Sequence, residues 1–188
     1  MDTRADRLET RTARLRLVAL DAELARLQME DRSAFFAEIG AERESAWPPV
    51  ADDAAKLPET LDVLTRHPEQ TGWRGWVFLM GWTPGGLDRA VGTGGFFGPP
   101  DEDGVIEIGY AMAASFREQG MATEAVSGLL SWAFSHDAVQ RVLAFTEPHL
   151  SASRRVLEKT GFKDAGEQTR AGVLQVRYER ERTDGATA

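Results

Sequence analysis

Residues Arg117, Glu118, Gln119, Gly120, Met121, Ala122 and Thr123 are a run whose types and order suit a defined chemistry. They join an apolar, β-branched stretch (Val105 to Ala113) to a stretch with helical period. The first N–H groups of a helix lack internal partners and sit at the positive end of its dipole. A loop of successive N–H groups at that point is an anion cradle suited to a pyrophosphate. Gly120 lets the backbone approach a phosphate, Ala122 keeps the next turn uncrowded, and Arg117 adds charge at the rim. A glycine in such a loop is by itself most simply a turn. The strand–loop–helix–strand setting of Arg-x-x-Gly-x-Ala is what raises the cradle reading.

Other constellations carry less. Gly92-Thr93-Gly94-Gly95-Phe96-Phe97 begins like a dinucleotide fingerprint, but Phe97 stands at the third glycine position. It reads as a strand with close backbone contacts. The lysines, Lys56, Lys159 and Lys163, follow no Walker pattern, and there is no Gly-x-Ser-x-Gly elbow. His67, His136 and His149 lack metal-ligand spacing, and no metal is expected. His67 and His136 read as boundary residues, and His149 as a loop residue. Trp47, Trp73, Trp76 and Trp82 read as core or pocket lining rather than a stacking stripe.

The elements that must position the loop are legible in outline. Ala13 to Leu20 alternates as a strand does, and Asp21 reads as the N-cap of a helix through about Ile39. Residues Gly40 to Pro58 read as a loop, running into a helix from about Asp53 to Arg66. Strands are expected over Trp73 to Trp82, Arg89 to Phe97 and Val105 to Ala113, an antiparallel meander with turns at Pro84-Gly85-Gly86 and Asp101 to Gly104. A helix from about Ala122 to Ser135, a strand Arg141 to Thr146 and a helix Ser151 to Lys159 follow, with Gly161 as its C′ residue. Two strands, near Lys163 to Thr169 and Val173 to Glu179, close the order. The fold class is α/β or α+β, a mixed sheet with helices on both faces. Residues 1–181 are expected to form a single domain and 182–188 a fraying tail.

Composition sets the outer limits. At 188 residues and 42% hydrophobic content the chain can bury a core without staples. With 22 basic and 30 acidic residues, its net charge of −8 disfavours nucleic acid as a partner. Cysteine is absent, which removes disulfides, thiol nucleophiles and cysteine-based zinc sites. No signal peptide or membrane-spanning run is read, so a cytoplasmic protein is expected.

The segment around Arg-x-x-Gly-x-Ala resembles the acetyl-CoA loop of the GNAT N-acetyltransferases. The resemblance covers nearly the whole chain. Leu8 to Leu20, Trp76-Val77-Phe78, Glu107-Ile108-Gly109-Tyr110, Met121 to Ala125, and the run from Ser153 to Phe162 (SRRVLEKTGF) all look like the RimJ/RimL branch. That branch contains ribosomal-protein N-terminal acetyltransferases. The resemblance implies a GNAT-type, mostly antiparallel sheet with a V-shaped splay between two central parallel strands. It implies that Arg117 to Thr123 hold the pyrophosphate of acetyl-CoA. Tyr110, Ala111 and Met112 would then flank the pantetheine arm, with an N–H near Ala111 or Met112 as oxyanion donor.

Under the same resemblance Ser153 is the expected donor to the thiol end and Glu107 the expected base, acting through water. Each has a plainer reading: Ser153 as a helix cap, Glu107 as a strand residue paired with an Arg. Leu150 stands where the family often has Asn, and Leu157 where many members outside this branch have a Tyr acid. The expected activity is direct transfer of acetyl to a primary amine, either a protein N-terminus or a small amine such as an antibiotic or polyamine. The alternatives are a non-catalytic coenzyme A binding module and an interaction domain, for example a homodimer using the outer sheet edge. In this architecture the first two helices commonly cap the acceptor cleft. The acidic run Glu38, Glu42, Glu44, Asp52 and Asp53 there favours a cationic acceptor.

Overall fold

The computed structural model describes residues 7–43, 47–49, 51–81 and 86–183, with only the backbone described for 51–53. The strands are β1 (Glu9–Arg11), β2 (Leu15–Ala19), β3 (Ala41–Glu42), β4 (Gly75–Met80), β5 (Asp88–Phe96), β6 (Val105–Met112), β7 (Arg141–Thr146), β8 (Lys163–Arg170) and β9 (Val173–Glu181). The α-helices are α1 (Ala22–Glu30), α2 (Arg32–Glu38), α3 (Ala51–Arg66), α4 (Met121–Phe134) and α5 (Ser151–Lys159). The sheet runs β1-β2-β4-β5-β6-β7-β9-β8, with β3 beside β5. The pairs β6/β7 and β3/β5 are parallel, and the other recorded pairs are antiparallel.

Strand alternation divides the core in two. Leu15, Leu17 and Ala19 of β2 and Trp76 and Phe78 of β4 pack with α4, while Val18 of β2 and Val77 and Leu79 of β4 pack with α1, α2 and α3. A period of two sends neighbouring side chains to opposite faces, so these strands are covered on both sides. Fully burying side chains of this size stabilises by about 1.5–3 kcal/mol each. Helix α4 lies close on β2 because Gly128 has no side chain: a Cβ there would stand 2.8 Å from Leu17 and Thr12. Trp132 of α4 meets Trp73, Trp76, Phe96 and His136 at centroid distances of 4.6–5.8 Å. His136, read as a boundary residue, is thus packed on rings. Trp47 is buried against Phe35 and Phe36, whereas Trp82, Pro84 and Gly85 lie outside the described residues.

Two expectations are corrected. The helix after Asp21 is two helices, because Asp31 ends α1 with its N–H on Leu27 and starts α2 with its carboxylate on the Ala34 N–H. Asp21 does cap α1, accepting from Leu24 N–H. The segment read as a loop over residues 40–58 contains β3, while the helix expected from about Asp53 to Arg66 is α3, beginning at Ala51 with Pro58 inside it. Pro58 is exposed, so its ring faces solvent and the helix continues with one bond fewer. Arg182, read as the start of a tail, donates from its backbone to Gln140 at 2.7 Å and from Nε to Val139 at 2.7 Å. Residues 184–188 lie outside the described residues. No described helix is long and apolar enough to cross a membrane.

Candidate active site

The parallel strands β6 and β7 separate halfway. Their pairing runs from Val105↔Arg141 to Ile108↔Ala144, although β6 continues to Met112 and β7 to Thr146. Strand β7 stays paired with β9 to Thr146↔Val176, so the opening lies on the β6 side alone. Phe97 N–H donates to Glu107 O at 3.1 Å and Ala113 N–H to Val91 O at 2.9 Å. Antiparallel pairs alternate, so Gly109 and Ala111 also face β5, and the main chain of Tyr110 and Met112 turns toward the opening. Arg117 Nε takes up the Met112 carbonyl at 3.1 Å. Of the two candidate oxyanion donors, Met112 N–H faces the gap and Ala111 N–H faces β5. Thr146, on the part of β7 beyond the last β6/β7 pair and not singled out in the sequence, has a buried Oγ1 without a hydrogen-bond partner. Polar main chain along one side of the gap suits an extended ligand that carries amides.

The loop beyond β6 ends at α4. Glu118 and Gly120 both adopt left-handed backbone, with φ of 61° and 76°. Left-handed residues in a tight turn make main-chain N–H groups converge on a concavity. Gly120 is the N-cap of α4 and offers no side chain to its first N–H groups. Residues Arg117 to Gly120 are exposed, Met121 is buried, and Ala122 and Thr123 are half-buried. Gln119 is fastened by its side-chain amide to Ser115 O at 2.9 Å and by its own carbonyl to Arg14 Nη1 at 3.1 Å.

An acid so close to an anion site would oppose it, but Glu124 is turned away. Its carboxylate accepts from Thr12 Oγ1 at 2.5 Å, Arg14 N–H at 2.6 Å and Arg14 Nε at 2.7 Å. Burial would raise the Glu124 carboxyl, yet these bonds bring it below its ordinary value.

Tyr110 and Ser153 meet across the opening. The Tyr110 hydroxyl lies 3.2 Å from both the carbonyl and Oγ of Ser153. Burial pushes the phenol up to about 12, and the bond to Ser153 offsets only part of that. Ser153 is the third residue of α5 rather than its cap; Leu150 holds the cap position and makes no side-chain bond. Glu107 stands apart. Both its oxygens accept from Arg170, at 2.9 and 3.0 Å, and the Arg170 guanidinium lies 4.0 Å from the centre of the Phe145 ring. The plainer reading of Glu107 therefore has its arginine, at the end of β8. His149 is exposed, 3.6 Å from Glu147.

On the opposite face, α1, α3, β4, β5 and β6 enclose a cavity of about 430 Å³ that reaches Tyr110 and Ala111. Gly94 and Gly95 form part of its wall; a Cβ would stand 2.4 Å from the Phe78 ring at the first and 1.9 Å from the Arg74 carbonyl at the second. These are the close contacts read from the sequence. Glu107 does not line this cavity. Of the acidic run, Glu38 pairs with Arg7 at 2.9 Å and Glu42 is exposed, and neither lines the cavity, while Glu44 and the side chains of Asp52 and Asp53 lie outside the described residues. The described lining carries one carboxylate, Glu59, beside Lys56 and Arg74. Gln28 of α1 also lines it, buried with its side-chain oxygen unpartnered. Its signal in the sequence was a polar residue four positions after Leu24, on the buried side of an amphipathic helix. Among the described residues no group of three or more His, Asp or Glu could hold a metal.

Known proteins agree with this architecture. The acetyltransferase (GNAT) domain family matches residues 21–163. An uncharacterized N-acetyltransferase of Bacillus subtilis (strain 168), YjdG, is 33% identical over 153 residues, covering 80% of this chain and 87% of that protein. Among solved structures, the ribosomal-protein-S5-alanine acetyltransferase from Vibrio fischeri aligns with a TM-score of 0.63 and 15% identity over 94% of this chain and 98% of that one. Mycobacterium smegmatis RimJ, in complex with CoA-disulfide, gives 0.59 and 20% identity over 89% of this chain and 81% of that one. The fold and the sequence thus converge, and the chain belongs to the GNAT acetyltransferase family.

Proposed function

We propose that the protein is an acetyl-CoA-dependent N-acetyltransferase acting on a primary amine by direct attack in a ternary complex. The observation that carries this is the one-sided opening between β6 and β7, with the main chain of Tyr110 turned into it. Acetyl-CoA supplies the activated acetyl group. In this reading the chain between Arg117 and Thr123 binds its pyrophosphate, and the main chain of Tyr110 and Met112 with Thr146 Oγ1 holds the pantetheine arm. Met112 N–H faces the developing oxyanion.

The amine must lose a proton to become nucleophilic, because an alkylammonium resembles lysine, with a pKa of about 10.4. Glu107 is the proposed base. Arg170 occupies one lone pair on each oxygen and leaves another on each for a water that carries the proton. Ser153 Oγ, held by a Tyr110 phenol that stays protonated, is the proposed donor to the departing sulfur.

Free-thiol release from acetyl-CoA, measured with a panel of amines and N-terminal peptides beside calorimetric binding of acetyl-CoA, tests the reading. Binding with thiol release on adding an amine is expected. Binding without release from any acceptor would favour a non-catalytic coenzyme A module, and no binding would defeat both.

A further inference from the structure

The cavity beneath α1 and α3 contains a polar group that the proposed chemistry leaves unused. Gln28 is 4% exposed, and its Oε1 has no hydrogen-bond partner. Buried acceptors are nearly always satisfied, so an orphan on a residue that lines a cavity points to a donor that arrives with a ligand. The neighbouring walls are mainly apolar, with Leu20 and Leu57 on one side and side-chain-free Gly95 and Gly109 on the other. Arg74 also lines the cavity. It donates to Gln70 Oε1 and to the Phe97 carbonyl, and no carboxylate among the described residues pairs with it. One carboxylate, Glu59, set beside Lys56 and Arg74 gives a polycation little to bind.

We propose that Gln28 determines acceptor choice. Its Oε1 accepts a hydrogen bond from a second N–H or O–H of a primary amine that carries one positive charge on a mainly apolar body. This rests on the acetyl-transfer reading of the same site. A peptide N-terminus with an uncharged first residue has that chemistry, its second-residue N–H being the donor. An aromatic amino alcohol has it too. Polyamines do not.

The test is steady-state kinetics on the full chain and on Gln28→Met, which keeps the volume and removes the acceptor. Two substrate pairs serve: a dipeptide amide against its analogue N-methylated at the second residue, and an amino alcohol against its deoxy analogue, with spermidine as the polycation. Loss of one buried hydrogen bond corresponds to a change of about tenfold. The wild type is expected to prefer the donor-bearing member of one pair by roughly that factor in kcat/KM, with spermidine poorer. The pair that responds identifies the source. Gln28→Met is expected to erase the preference while leaving acetyl-CoA affinity unchanged.

A preference that survives in the folded variant overturns the proposal. So does a wild type without preference in either pair, or one for which spermidine is the best acceptor. If Gln28→Met does not fold, the wild-type comparison decides alone. A wild type that transfers acetyl without preference defeats this proposal only; one that binds no acetyl-CoA defeats the acetyl-transfer reading and the proposal with it.

Discussion

The two faces of the sheet build their sites from different materials. On the side of β6, α4 and α5, main-chain atoms dominate: the carbonyl and amides of Tyr110 and Met112, and a left-handed turn at Gly120. On the side of α1 and α3, side chains make the cavity, and the main chain contributes chiefly by leaving room at Gly94, Gly95 and Gly109. A main-chain site requires particular conformations at particular steps, so it constrains residue type tightly. A side-chain cavity can be lined in many ways, and its residues come from distant parts of the chain. The first kind writes a motif, and the second does not.

Three measurements bear on that contrast. The largest effect is expected for Glu107→Gln. As the proposed base, its loss should lower kcat by about 10²- to 10⁴-fold with acetyl-CoA affinity unchanged. A rate equal to wild type at saturating amine would reduce Glu107 to the partner of Arg170. Next comes Gly120→Val, which forces a β-branched residue to φ 76°. Left-handed backbone costs such a residue about 1–2 kcal/mol or more, so the Kd for acetyl-CoA should weaken roughly tenfold. Affinity that holds steady would show that the turn is structural only.

The smallest effect concerns Tyr110, a side chain within the main-chain site. Its phenol is raised from 10.0 to about 12, so the folded state favours the neutral form. The stability it lends is full below pH 10 and is lost as pH rises toward 12. Thermal unfolding followed over that window should decline less steeply in Tyr110→Phe than in wild type. Identical slopes would mean that the phenol is not buried in solution.

Legibility in the sequence followed the same divide. The strand Arg141–Thr146 and the helix Ser151–Lys159 were readable to the residue, because apolar period, Pro148 and Gly161 all mark their bounds. The stretch from 21 to 42 was not, because Asp31 serves as stop and start for two helices at once and β3 is only two residues long. The turn at Gly120 and the splay beside Tyr110 could be expected from local residues and a resemblance. The partners of Glu107 and Glu124 could not, since Arg170 and Arg14 lie 63 and 110 positions away. Thr146 and Gln28 look ordinary until burial and missing partners are known together.

The clasp of Thr12 and Arg14 on Glu124 has a practical consequence for anyone trimming the protein. The family match begins at residue 21, after β1, β2 and the turn between them. A fragment cut to residues 21–163 would lack the strand against which Gly128 is fitted. It would also leave Glu124 unneutralised beside the loop proposed to bind a diphosphate. The stretch matched by the family is therefore not a minimal unit: the start of α4 is braced by a hairpin that a domain boundary drawn from family likeness would discard.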